Sequence, residues 1–132
     1  MTMILKRGIK LLDEIAGQGK AAAIGDRLVF NMKIFLNRGD EIPLNERQAE
    51  QVPGHMRRAI GDEVLIDHSI TLGKRQAIAG VEHALVGMKA GGYRKVRVSP
   101  HLAYREQGVP GLVPENAVLV IELWLRDIIV AP

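Results

Sequence analysis

The sequence predicts an α+β domain, a twisted antiparallel sheet wrapped around a single helix. Several runs repeat their apolar residues at every second position, the period of a strand. One run repeats them at three and four residues, the period of a helix. The order is strands, one helix, then more strands. With 132 residues, the chain reads as one domain, 1–132, large enough to bury a core.

Residues 8–15 (GIKLLDEI) place Ile9, Leu11 and Ile15 at period-two positions, but Leu12 also joins Ile9 and Ile15 on a helical stripe. Strand and helix both fit there. Gly17-Gln18-Gly19 reads as a turn; no Gly-Lys-Ser/Thr follows, so a nucleotide loop is not expected. Gly25-Asp26 punctuates before residues 27–36 (RLVFNMKIFL), where Leu28, Phe30, Met32 and Ile34 share one strand face. Asn37-Arg38-Gly39-Asp40 is the next turn. Residues 44–61 are polar, helix-tolerant around 46–51, and broken by Pro53-Gly54. They read as an exposed insertion, 44–67 in all, with a basic knot at His55-Met56-Arg57-Arg58. A binding flap is the other reading of the same stretch.

Residues 63–72 (EVLIDHSITL) resume strand alternation. Residues 76–89 form the helix, with Ile78, Val81, Leu85 and Met88 on one stripe and Gly91-Gly92 marking its end. In residues 93–98, Val96 and Val98 lie on one face. The strand at 117–129 turns Leu119, Ile121, Leu123 and Leu125 inward and Val118, Val120, Glu122, Trp124 and Arg126 outward. Between them, residues 99–116 hold three prolines and two glycines, too much punctuation for a helix or a central strand. That loop also carries Leu102, Tyr104, Val109, Leu112 and Val113, more apolar surface than a solvated loop needs. It is expected to fold back and wall a pocket.

Composition excludes several classes of chemistry. No cysteine means no disulfide and no thiolate, which suits a reducing cytoplasm. His55, His68, His83 and His101 lack metal-ligand spacing, so no metal and no cofactor is expected. Asp62-Glu63 and Asp40-Glu41 sit in turn-like sequence, and Ser99 lacks a Gly-x-Ser-x-Gly context. A formal charge of +3 argues for little nucleic-acid binding. No run is long enough to span a membrane, and the first residues lack the pattern of a signal peptide. Cytoplasmic is the expected location. The outward face beside Trp124, with Tyr93, Lys95 and Arg97 on the neighbouring strand, is either self-covered or a surface for self-association or a partner.

One resemblance sharpens this reading. Ser99-Pro100-His101-Leu102-Ala103-Tyr104, Gly108-Val109-Pro110-Gly111-Leu112-Val113-Pro114 and Ala117-Val118-Leu119-Val120-Ile121-Glu122-Leu123 resemble the FKBP-type peptidyl-prolyl cis-trans isomerases. The family pattern runs without a gap from Leu72 to Arg126 and in outline over 8–42. The resemblance favours a strand at 8–15 and implies binding of proline-containing peptides or protein clients. It implies Tyr104 as the catalytic hydroxyl, Ile78 at the start of the helix after Ala77, and Leu112 and Val113 as the apolar pair of the loop. Other pocket positions depart from the family. Val81 stands for the floor tryptophan, Met32 for a tyrosine, and Ile42 and Pro43 for a phenylalanine–aspartate pair. His68 replaces a rim aromatic and Ile121 the aromatic of the last strand. Isomerase activity is accordingly expected to be weak or absent. The alternative is a non-catalytic interaction or assembly module that uses the Trp124 face or the 44–67 insertion.

Overall fold

The computed structural model describes residues 3–45 and 50–131. Strands β1 (Met3–Lys6), β2 (Ile9–Ile15), β4 (Arg27–Leu36), β5 (Glu41–Ile42), β8 (His68–Thr71), β10 (Tyr93–Val98) and β11 (Leu119–Ile129) form one sheet. Its order is β1-β2-β10-β11-β4-β5, with β8 also paired to β4, and every pairing is antiparallel. Two short ribbons flank it, β3 (Gln18–Ala21) with β9 (Lys89–Ala90) and β6 (Arg57–Ile60) with β7 (Glu63–Ile66). Helix α1 (Ala79–Leu85) is the one α-helix given bounds among the described residues. It buries Val81, Ala84 and Leu85 in the same cluster as Leu119, Ile121, Leu123 and Leu125. A sheet around a helix is the expected fold class, and it is the one observed.

The strands expected at 27–36 and 93–98 fall on β4 and β10 without adjustment. Residues 9–15 are a strand because they pair with β10, which satisfies their backbone groups across the sheet. Four expectations need correction. Gln18, read as part of a turn, opens β3 and pairs with Ala90. The run at 63–72 is two strands, because Asp67 leaves the ladder and gives its side chain to Arg58 and Asn31. The last strand starts at Leu119 instead of 117.

The helix, expected over 76–89, covers only Ala79–Leu85. At its start Arg75 has a positive φ of 57° and Ile78 is extended, so neither continues a helix. At its end Leu85-Val86-Gly87-Met88 makes a type II turn: Val86 sits at φ −59°, ψ 127° and Gly87 at φ 86°, and the Met88 N–H donates to Leu85 O at 3.1 Å. That turn needs a glycine at its third position, which places the true stop four residues before Gly91. Met88 is still buried, so the apolar stripe outlasts the helix.

The stretch expected to be an insertion contains a hairpin, β6–β7, preceded by a single 3₁₀ turn at Gly54–Met56. Residues 46–49 of the helix-tolerant stretch lie outside the described residues. Most of the hairpin is exposed, as expected, but Leu65 and Ile66 are buried. Asn45 fastens it to the sheet, donating from Nδ2 to Met32 O at 3.0 Å and accepting from the Ile66 N–H at 3.3 Å.

Candidate active site

Register places the inner-face residues in rows across the strands. One row runs Leu11–Val96–Ile121–Ile34–Ile42, and a second runs His68–Phe30–Leu125. Met32 sits opposite Leu123 between them. Helix α1 lies over these rows because Gly80 lets it approach: a Cβ there would stand 2.4 Å from Val98 Cγ1 and 3.0 Å from Leu102 O. The loop 99–116 closes the end. Its shape is held by backbone bonds, with the Gly108 N–H donating to Tyr104 O at 3.0 Å and Val109 and Val113 bonded to each other in both directions.

These elements bring most of the expected site residues into one body. Val81 and Ile121 are 0% exposed and belong, with buried Ile42 and Val113, to the hydrophobic core cluster. Met32, Ala77, Ile78, Tyr104 and Leu112 are half-buried and pack against that cluster. His68 joins through Phe30, on which its ring stacks at 5.4 Å and 28°. Pro43 is exposed and outside the packed cluster.

The polar chemistry is sparse. Burial pushes the Tyr104 phenol above its ordinary pKa, so it remains a hydrogen-bond donor through the neutral range. Burial pushes His68 down, and the nearby Asp67 carboxylate only partly opposes this. A cleft of about 410 Å³ opens beside it, bordered by His68 and Gln76 on one side and by Val52 and Met56 of the insertion on the other. Among the described residues no group of three His, Asp or Glu could hold a metal ion.

Sequence reasoning missed the groups that position these elements. Both carboxylate oxygens of buried Glu82 accept backbone N–H groups, from Gly73 at 2.8 Å and Ala77 at 3.0 Å, which fixes the turn leading into the helix. Arg94, on the sheet, donates from Nη1 to Ala84 O and Val86 O, each at 2.9 Å, and from Nε to Glu14 at 2.6 Å. It satisfies carbonyls that the end of a helix leaves open. On the outer face Asn31 Nδ2 donates to Ile66 O and Asp67, both at 2.7 Å, and its Oδ1 accepts from Arg126 at 2.6 Å. Arg58 holds Asp67 with two bonds, at 2.9 and 3.1 Å. Beside this network the Tyr93 and Trp124 rings lie 5.4 Å apart, and the Tyr93 hydroxyl donates to Glu122.

With this geometry in hand, the comparisons with known proteins agree. The profile of the FKBP-type peptidyl-prolyl cis-trans isomerases matches residues 60–126. Peptidyl-prolyl cis-trans isomerase FKBP9 of Homo sapiens is 36% identical over 97 residues, covering 67% of this chain and 17% of that protein. FK506-binding protein 4 of Chaetomium thermophilum is 29% identical over 122 residues, 92% of this chain and 22% of that protein. The crystal structure of FkpA from Escherichia coli superposes with a TM-score of 0.73 at 28% identity, covering 99% of this chain and 53% of that one. The chain thus spans only a part of each of these relatives. The matched profile, the sheet wrapped around α1 and the loop that carries Tyr104 lead to one conclusion: the chain belongs to the FKBP-type peptidyl-prolyl cis-trans isomerase family.

Proposed function

We propose that the inner face binds proline-containing segments of other proteins at the rim formed by Met32, His68, Ile78, Tyr104 and Leu112, and catalyses X–Pro isomerisation weakly. An X–Pro bond rotates over a barrier of roughly 18–20 kcal/mol because resonance keeps the amide planar. Twisting it removes conjugation and charge separation, so an apolar surround favours the twisted form over the planar form that water solvates. One donor aimed at the twisted amide adds to this, and each ~1.4 kcal/mol of differential stabilisation is worth tenfold in rate. No nucleophile or metal takes part.

Tyr104 is the observation that carries this reading. It is half-buried against the aliphatic core, protonated, and carried by a loop whose backbone is bonded to itself. Weakness follows from that same core, in which Val81 and Ile121 offer no ring and no exposed surface to the proline. The insertion, bordering the cleft at His68, serves as a flap over the bound chain. Assembly through the Trp124 face has less support, since Tyr93 already covers one side of that ring.

Exchange spectroscopy on a short X–Pro peptide tests this. The protein should broaden or cross-connect the cis and trans signals, and Tyr104→Phe should reduce the exchange rate by about fivefold, the worth of one hydrogen bond, without changing the fold. No exchange at high protein concentration would leave only a binding role. Introducing Met32→Tyr with Pro43→Asp should raise the rate by supplying the missing hydroxyl and carboxylate. A folded double variant with unchanged rate would place those two positions off the substrate path.

A further inference from the structure

The solvent side of α1 carries a second concavity that the isomerase reading does not use. Ala79, Glu82, His83 and Val86, at helical spacing, form one wall of a cleft of about 560 Å³. Ile24 and Gly73 face them across it, and Arg75 and Arg105 reach it from two different loops. The size suits a bound ligand of a few residues. Its apolar lining is aliphatic, with Ile24 and Val86 among the exposed large apolar side chains.

The two arginines share an uncommon feature. Arg75 has φ 57° and Arg105 φ 58°, and only Asn116 among the other non-glycine residues described has a positive φ. Such backbone is unfavourable for a side chain with a Cβ, and it persists where the surroundings enforce it. Arg105 is so held: its N–H donates to Pro100 O at 2.8 Å and its carbonyl accepts from Asn116 at 3.1 Å. Two strained positions thus deliver guanidinium groups to one cleft. Among the described residues neither arginine is paired with a carboxylate. The one acid in the lining, Glu82, already accepts the Gly73 and Ala77 N–H groups. Lys6 adds a further cation at the edge, 3.1 Å from His83 Nε2.

We infer that this cleft binds an acidic peptide segment, carboxylates on Arg75 and Arg105 and an aliphatic side chain on Ile24 and Val86. Guanidinium groups match carboxylates in a paired geometry, and among the described residues no acid is ion-paired with either arginine. The single ring in the lining is the His83 imidazole, 3.1 Å from Lys6 Nζ, too small a platform to favour a nucleobase, and the apolar half of the lining exceeds what a bare inorganic anion uses. Ala77 borders both this cleft and the proposed isomerase rim, whereas Ile24, Arg75, Val86 and Arg105 belong to the cleft and not to the rim, so the two sites meet at the start of the helix. The inference does not depend on isomerase activity.

The test is fluorescence anisotropy with a labelled peptide of alternating leucine and glutamate, against its leucine–glutamine counterpart, with inorganic phosphate as competitor. Arg75→Gly and Arg105→Gly remove the guanidinium groups at positions where glycine suits the backbone, so the fold should hold; Arg→Gln at each site provides a second variant. The glutamate peptide should bind saturably, weaken at about 0.5 M salt, and bind about tenfold more weakly to the double variant. Three results would overturn the inference: no saturable binding, equal binding by the double variant, or equal binding of the glutamine peptide. Displacement by phosphate at the peptide's own concentration would reduce the site to adventitious anion capture and overturn it as well.

Discussion

On the helix side of β11, Leu119, Ile121, Leu123 and Leu125 are each fully buried among aliphatic neighbours, while on the other side Glu122, Trp124 and Arg126 keep some contact with solvent. One strand thus separates two kinds of cohesion. The inner side of this strand is held by volume, since its four leucine and isoleucine side chains carry no polar group and gain by filling space. The outer face is held by valence: Asn31, Arg58, Asp67 and Arg126 each satisfy another. Damage to the first should scale with the space left empty, and damage to the second with the charge left alone. The candidate isomerase site lies at the open edge of the first kind, where packing gives way to the half-buried rim.

The largest contrast is expected from Leu123→Ala. It opens a cavity in the fully buried row and should cost about 2–5 kcal/mol in urea unfolding. A loss under about 1 kcal/mol would mean that the inner face collapses to fill the gap. Acid should act next, through groups on both faces. Burial alone would raise the Asp67 carboxyl, yet the Arg58 and Asn31 bonds and the Arg126 charge hold it below the ordinary carboxylate range. Lys20 and the Ala131 and Ala23 N–H groups do the same for Asp26. Each depressed carboxyl contributes stability above its unfolded pKa of about 3.9, lost as pH falls toward the folded value. His68 and His83, both lowered chiefly by burial, weaken the fold earlier, because the unfolded chain takes up protons below about pH 6.5 while the folded chain resists. A pH series of chemical denaturation should therefore decline in two stages. Asp67→Asn should shallow the second stage and cost about 1 kcal/mol at neutral pH, its guanidinium partner being partly exposed. The smallest effect is spectroscopic. Burial and the Glu122 carboxylate raise the Tyr93 phenol, and burial raises Tyr104, so the folded protein should show little tyrosinate near pH 10. Tyr93→Phe should remove the titration step that responds to Glu122 and leave the step of Tyr104.

The inner face was the legible part. Period-two alternation located β4 and β10 and marked which side of β11 is buried, because burial and periodicity are the same fact seen from two directions. The loop from Ser99 to Asn116 was legible too, its apolar residues being unaccountable in a solvated turn. The helix was read too long, because its apolar stripe continues through Met88 after the backbone has turned at Gly87. The polar supports were not legible at all. Asn31 and Arg126 are 95 positions apart in the chain, and Arg94 meets Ala84 only once the sheet has formed. No local pattern encodes a bond between strangers, so nothing in the sequence marks Glu82, Arg94 or Asp67 as supports.

Where Gly80 meets Val98, the backbone of α1 is seated against the sheet with no methyl group's width to spare. A bulkier guest therefore cannot be accommodated by sliding the helix away, because the strand beneath would have to follow. Breathing room at the proposed peptide surface must come from the proline-rich segment beyond Leu102, whose own carbonyl abuts Gly80, so that tolerance for different sequences around proline should change with edits to that outer part and hardly at all with edits to the helix.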